Sequence, residues 1–237
     1  MTPFEKRLIE AASRPYRSSG RFAWHFARGK LRHDPYFLGV IRRGLLPREG
    51  RLLDVGCGQG LLLALVCAAC EQHRRGDWPT DWPAPPEQLT LAGIERDSRR
   101  VEIARRALAT VDPGVTVTCA DMRSAAFPLS SAITLMDVLL YLTPDEQCRV
   151  LEKAARALAP DGVLILREAD ASAGQRFEVT RWVERLASAA RGELGRHLQY
   201  RTAREWQTLL EGLGLTVRTK PMSHGTPFSN TLFVARR

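Results

Sequence analysis

Residues 51–60 read Arg-Leu-Leu-Asp-Val-Gly-Cys-Gly-Gln-Gly, and the fold turns on how this stretch is resolved. The apolar run 52–55 is short and interrupted only by Asp54, which suits a strand buried on both faces. Glycines at 56, 58 and 60 then permit a sharp turn into a helix and a close approach of backbone to ligand. The run from 60 to 70 (GLLLALVCAAC) continues as an apolar helix, expected over about 58–72. Strand, glycine turn and buried helix together form the opening unit of a parallel α/β sheet.

The alternation continues outward on the C-terminal side. Strands are expected at 89–95, 115–120, 132–137 and 163–166, with a helix at 98–111 carrying apolar residues at 101, 104, 107, 108 and 111. A helix over about 144–159 has the best-marked start: Thr143 suits the N-cap, Pro144 the first turn, and Glu146 completes a capping box. It ends before Pro160-Asp161-Gly162. Helices at about 175–190 and 202–212 and a closing pair of strands at 215–219 and 232–235 complete the chain. On the N-terminal side, 1–48 reads as short amphipathic helices broken by Pro15, Gly20, Gly29 and Pro35, rich in aromatics. Between the first helix and second strand lies a Pro-rich loop, 71–88, with Asp-Trp-Pro repeated at 77–79 and 81–83. It falls at the amino edge of the sheet, so Trp78 and Trp82 are expected to cover core; a protein contact is the alternative.

In open parallel sheets ligands bind beyond the carboxyl ends of the strands. Four acids stand at those ends: Asp54, Glu95 (followed by Arg96), Asp121 (followed by Met122) and Asp137. A dinucleotide site would want a third glycine at 61, where Leu61 stands. No tyrosine is followed by lysine four positions later, since Tyr16, Tyr36, Tyr141 and Tyr200 precede Gly20, Val40, Asp145 and Arg204. An NAD(P)-linked oxidoreductase is therefore a distant alternative.

The spacing acidic-x-Gly-x-Gly-x-Gly at 54–60, with Glu95, Asp121, Asp137 and the turn LAPDGVL at 158–164, resembles the class I S-adenosylmethionine-dependent methyltransferases over about residues 40–170. The resemblance implies a Rossmann-like α/β fold. Its seven-stranded sheet would be mostly parallel with the last strand antiparallel, and helices would lie on both faces. An N-terminal helical cap would span 1–45 and a donor-binding domain 46–237. It implies S-adenosylmethionine held by Gly56, Cys57, Gly58, Gly60 and Asp54, with Glu95 and Arg96 at the ribose, Asp121 and Met122 at the adenine, and Asp137 near the transferring methyl. Lys30 would reach the donor's carboxylate from the cap. On the acceptor side, His224 in the last loop is the candidate base and Tyr141, just past Asp137, a second substrate-side catalytic candidate, ahead of His25 and His33. Val-Leu-Leu after Asp137 differs from the Pro-Pro-Tyr of many enzymes that methylate amino groups.

A narrower likeness rests on RPYRSSGRFAWHFARGKL near the start and HGTPFSN near the end. It is to bacterial methyltransferases encoded with aryl-polyene pigment enzymes, and implies an aromatic acceptor, free or on an acyl carrier protein. The expected function is O- or C-methylation of a small-molecule or carrier-bound acceptor in secondary metabolism. An RNA or protein methyltransferase is the alternative, and a non-catalytic S-adenosylmethionine-binding protein a more distant one.

Composition narrows the classes further. The net charge is +9, yet lysine stands only at 6, 30, 153 and 220, so 31 of the 35 basic residues are arginine, spread along the chain. That distribution disfavours a nucleic-acid tail and suits a basic surface meeting acidic molecules, an acidic carrier included. Five cysteines without an export signal are expected as free thiols in the cytoplasm. The Cys67-x-x-Cys70 pair comes late in an apolar helix and lacks the second pair a zinc site needs. No metal is expected. No apolar run is long enough to span a bilayer.

Overall fold

The computed structural model describes residues 1–190, 198–222 and 225–237. They form α1 (Pro3–Ser13), α2 (Arg21–His33), α3 (Pro35–Arg42), β1 (Glu49–Val55), α4 (Leu61–Arg74), β2 (Gln88–Glu95), α5 (Ser98–Leu108), β3 (Thr116–Cys119), β4 (Ser130–Met136), α6 (Pro144–Arg156), β5 (Leu158–Ala169), α7 (Gln175–Ala190), α8 (Ala203–Gly212), β6 (Thr216–Pro221) and β7 (Asn230–Arg236). Short 3₁₀ turns cover Arg14–Ser19 and Leu139–Tyr141. The sheet runs in the order β3-β2-β1-β4-β5-β7-β6. β1 pairs with β2 and β2 with β3 in parallel, whereas β7 is antiparallel to both β5 and β6. The expected Rossmann-like sheet with an antiparallel last strand is what forms.

Two compact units are distinguished, Met1–Thr134 and Leu135–Arg237. In the first, Leu52–Val55 are all buried, as a central parallel strand requires. Over residues 61–70 α4 is apolar all round, with Leu61–Val66, Ala68 and Ala69 buried, so this part is an interior helix, and its polar last turn, 71–74, reaches water. It begins at Leu61, three residues later than expected, because Gly58 and Gly60 hold φ of 56° and 76°. Positive φ cannot propagate a right-handed helix. α2 also departs from expectation: it runs through Gly29, where an added Cβ would meet nothing within 4 Å. An isolated glycine there weakens the helix by about 1 kcal/mol without breaking it.

The Trp-Pro loop folds back on α1. Phe4 meets Trp78 and Trp82 edge-on, each at 5.4 Å between centroids, and Trp82 is buried. Arg7 grips Asp77 through Nε and Nη2. The tryptophans cover core, as expected.

In the second unit, α6 starts with the predicted capping box: Thr143 Oγ1 accepts from the Glu146 N–H, and the Glu146 carboxylate accepts from the Thr143 N–H. β5 is longer than expected. It begins at Leu158, ahead of the Pro160-Asp161-Gly162 bend, and is buried from Val163 to Ala169. A side chain at Gly162 would press within 2.7 Å of the Ala159 carbonyl oxygen, which is why the bend needs glycine.

Candidate active site

The glycine loop is stitched to the end of β2. The N–H groups of Gly56 and Cys57 both donate to the Ile94 carbonyl, at 2.7 and 3.0 Å. Its glycines serve different ends. A Cβ on Gly60 would lie 2.8 Å from Leu108 Cδ1, so this glycine lets α5 come close. A Cβ on Gly58 would meet nothing within 4 Å, so this one faces open space. Cys57 points inward, buried against Gly93 of β2; burial pushes its thiol pKa well up.

Glu95 is buried at the tip of β2. One carboxylate oxygen accepts from the Gly58 N–H at 3.0 Å and the other from the Asp97 N–H at 2.9 Å. The side chain thus ties the loop to the start of α5, and each oxygen keeps a second lone pair. Asp54 is buried one strand away, accepting from the Thr134 hydroxyl at 2.6 Å. Burial lifts its pKa to about 6; the Glu95 charge adds to the rise, and the Thr134 hydrogen bond opposes it. Asp54 is therefore partly protonated just below neutrality.

Asp121 follows β3 in a more open setting. The Arg123 side chain embraces it, Nε to Oδ1 at 3.0 Å and Nη2 to Oδ2 at 2.6 Å, and holds its pKa below the usual carboxylate range. Met122 is half-buried beside it, and the charge of exposed Arg96 lowers the same pKa further. Lys30, expected to reach outward from the cap, sits 2.8 Å from Asp34 at the end of its own helix. The His33 ring bonds the Gly29 carbonyl, and His25 lies against Trp24.

One contact in this unit was not foreseen. Tyr16, fully buried, donates its hydroxyl to the Gln59 carbonyl at 2.8 Å and so fastens the Arg14–Ser19 turn to the glycine loop. A tyrosine beside a proline in a polar stretch was the only signal.

In the second unit, Asp137 immediately follows β4 and holds φ 53°. Arg167 of β5, 1% exposed, clamps its carboxylate, with Nε donating to Oδ1 at 3.0 Å and Nη2 to Oδ2, while the Asp137 N–H donates to the Arg167 carbonyl. Glu168, also buried, accepts the N–H groups of Val138 and Leu139 at 3.1 and 2.8 Å. Burial, then the Asp137 charge, drives its pKa well up. Tyr141 donates to Glu184 of α7 at 3.0 Å. Buried Gln147 gathers the carbonyls of Leu139, Leu142 and Gln199 on one amide. None of Arg167, Glu168, Gln147 and Glu184 was singled out from sequence. Arg167-Glu168 could have been, as two charges closing an otherwise apolar strand. His224 lies outside the described residues.

Among the described residues no group of three His, Cys, Asp or Glu side chains is placed to hold a metal, and no helix is long and apolar enough to cross a membrane. Burial raises the thiols of Cys67 and Cys70 to about 12 and about 11, so both stay protonated near neutrality, and Cys70 donates to the Pro86 carbonyl.

Comparison with known proteins agrees with this architecture. The methyltransferase domain family matches residues 23–220. A carboxy-S-adenosyl-L-methionine synthase of Actinobacillus succinogenes is 27% identical over 133 residues, 55% of this chain and 49% of that protein. The chain thus spans about half the length of the curated relatives it matches. Among solved structures, an O-methyltransferase family protein from Burkholderia thailandensis superposes with a TM-score of 0.66 at 17% identity, covering 93% of this chain and 61% of that one. Human N-acetylserotonin methyltransferase, solved in complex with S-adenosylmethionine, gives 0.61 at 14% identity, with 90% and 53% covered. With residues 23–220 matched and the sheet order given above, the chain belongs to the methyltransferase domain family and has the fold of its class I, S-adenosylmethionine-dependent members.

Proposed function

We propose that the chain binds S-adenosylmethionine over the loop 56–60 and transfers its methyl group to a small-molecule acceptor, most simply to an oxygen. The observation that carries this is the pairing of open space at Gly58 with a buried Glu95 whose carboxylate holds the loop from beneath. A ribose needs both: room for backbone to approach, and an acceptor for two hydroxyls. The residues present suit this donor better than a dinucleotide. Asp54, beside the loop, favours the cationic ammonium and sulfonium and would repel a pyrophosphate, whereas Glu95 suits the ribose of either cofactor.

When bound, the donor supplies an electrophilic methyl on a positively charged sulfur. The chain's part is placement. Gly56, Cys57, Gly58 and Gly60 shape the loop; Glu95 and Arg96 would hold the ribose, Asp121 and Met122 the adenine, and Asp54 the amino acid part. Lys30 is assigned to the donor's carboxylate, a role for which it must leave Asp34. Asp137, fixed by Arg167, is the residue assigned to the transferring methyl. Orienting the two reactants is worth up to about 7–11 kcal/mol in favourable intramolecular cases. For a hydroxyl acceptor, Tyr141, held by Glu184, and His224 are the groups assigned to proton removal, a step worth about 10²–10⁴-fold. The cap is assigned to 1–45 and the donor-binding domain to 46–237, with a cytoplasmic setting and acceptors drawn from secondary metabolism, free or carrier-borne.

Gly58→Val tests the site. At φ 56° a branched side chain strains the backbone by about 1–2 kcal/mol, less than a domain's usual stability. The variant is expected to fold yet lose at least about a hundredfold in donor affinity by calorimetry; unchanged affinity would remove the loop from the site. A second reading comes from the curated relatives, which are named carboxy-S-adenosyl-L-methionine synthases: the donor itself is the molecule modified. Mass spectrometry of a cell extract incubated with methyl-labelled donor separates the two, since label appears either on a new acceptor or on an altered donor.

A further inference from the structure

We propose that the cleft between α7 and residues 198–200 binds a small aromatic anion, carrying a carboxylate, as the acceptor. This rests on the transferase reading for the word acceptor, and on the cleft alone for the chemistry of its ligand. The cleft encloses about 370 Å³, enough for a single-ring molecule and within the range of ligand sites. Phe177 and Tyr200 line it with rings 5.0 Å apart and nearly perpendicular, which leaves ring surfaces for a flat body to lie against.

Arg181 and Arg185 also line it, one helical turn apart and hence on one face of α7. Arg181 is bonded to Glu178 at 2.5 Å, an exposed contact that engages one of its five N–H donors. Among the described residues Arg185 has no carboxylate partner. Guanidinium forks one turn apart match the two oxygens of a carboxylate better than they match a neutral group. The nearest acid on the same helix, Glu184, is turned to the Tyr141 hydroxyl.

Among the described residues the buried Tyr200 hydroxyl finds no hydrogen-bond partner, which a ligand oxygen would supply. Burial raises the Tyr200 pKa most, the Glu184 and Glu168 charges raise it further, and the Arg185 and Arg181 charges act the other way, so both arginines are felt at the ring alongside these acids. The cleft also abuts the segment that follows Asp137: the Gln199 N–H donates to the Leu140 carbonyl at 2.8 Å, and Gln147 holds the Gln199 carbonyl at 3.2 Å. A ligand seated here lies beside residues 138–141, the stretch that carries Tyr141.

The test is calorimetric titration of the full chain with 4-hydroxybenzoate and with its uncharged counterpart 4-hydroxybenzamide, with and without saturating S-adenosylmethionine. The acid should bind at least about tenfold tighter than the amide. Arg185→Gln and Arg181→Gln should each weaken the acid by about tenfold while leaving donor affinity unchanged, and Arg185→Lys should restore part of the loss. Arg185 is exposed, so its variants are expected to fold, which circular dichroism checks. Equal binding of acid and amide, an unchanged acid affinity in both glutamine variants, or no binding of either compound would overturn the proposal. Failure of the unaltered protein to bind S-adenosylmethionine would instead defeat the transferase reading, and the charge preference of the cleft would still be read from the donor-free titrations.

Discussion

Asp137 occupies a backbone conformation, φ 53°, that costs most side chains about 1–2 kcal/mol, and aspartate is among the few that tolerate it. What keeps it there is Arg167, whose guanidinium is almost wholly withdrawn from water. Removing one member of a buried ion pair costs about 3–5 kcal/mol. For Arg167→Met the lower end applies, because Asp137 retains 25% side-chain exposure. A urea-unfolding loss of about 3 kcal/mol is expected; a loss under about 1 kcal/mol would show that the clamp does little. Asp54 presents the opposite balance. Its raised pKa means the folded chain keeps a proton that the unfolded chain releases between about pH 4 and 6. Its contribution to stability therefore falls as pH rises through that window. Asp54→Asn should then be more stable than the unaltered protein at pH 7, by about 1–3 kcal/mol, yet bind the cationic donor more weakly. In the unaltered protein donor affinity should fall as pH drops below about 6, with a proton released on binding. A flat affinity from pH 5 to 7.5 would contradict the role proposed for Asp54.

Elements announce themselves unevenly. The α6 start was legible because a capping box is a four-residue chemical statement, complete within Thr143–Glu146. The α4 start was misplaced because helix and turn share the same glycines, and only their φ values separate the two. The Trp-Pro loop needed its partner: Phe4, more than seventy residues away, is what its rings grasp. Phe4→Ala should cost about 3 kcal/mol, as aromatic truncations in cores do. It should also redshift tryptophan emission as Trp78 and Trp82 gain water. Stability and emission both unchanged would mean the loop stands without α1. Tyr16 and Arg167 were missed for a related reason. Each is a single polar group whose partner is distant in sequence, and no local pattern encodes such a pair.

Over the whole molecule the formal charge of +9 is less concentrated than it reads. Many arginines are answered by neighbouring acids, among them Arg7 by Asp77, Arg48 by Glu87, Arg106 by Glu102, Arg156 by Glu152 and Arg123 by Asp121. Binding to a polynucleotide should therefore be weak and fall steeply with salt. Fluorescence anisotropy with a random RNA is expected to show negligible binding at 150 mM salt. Tight, salt-tolerant binding would revive an RNA substrate.

The chain's own pattern determined the alternation of strands and helices, the glycine loop and the acids at the strand tips. All of these are set by periodicity and by residues adjacent in sequence. Tertiary structure alone decided that β7 inserts between β5 and β6, that Arg167 pins Asp137, that Tyr16 fastens the loop, and that Arg181, Arg185 and Tyr200 share a cleft. Arg167 and Tyr16 find their partners only where side chains from separate elements meet in a desolvated space. The strand order and the cleft likewise arise from groups far apart in sequence that meet only after the chain has folded.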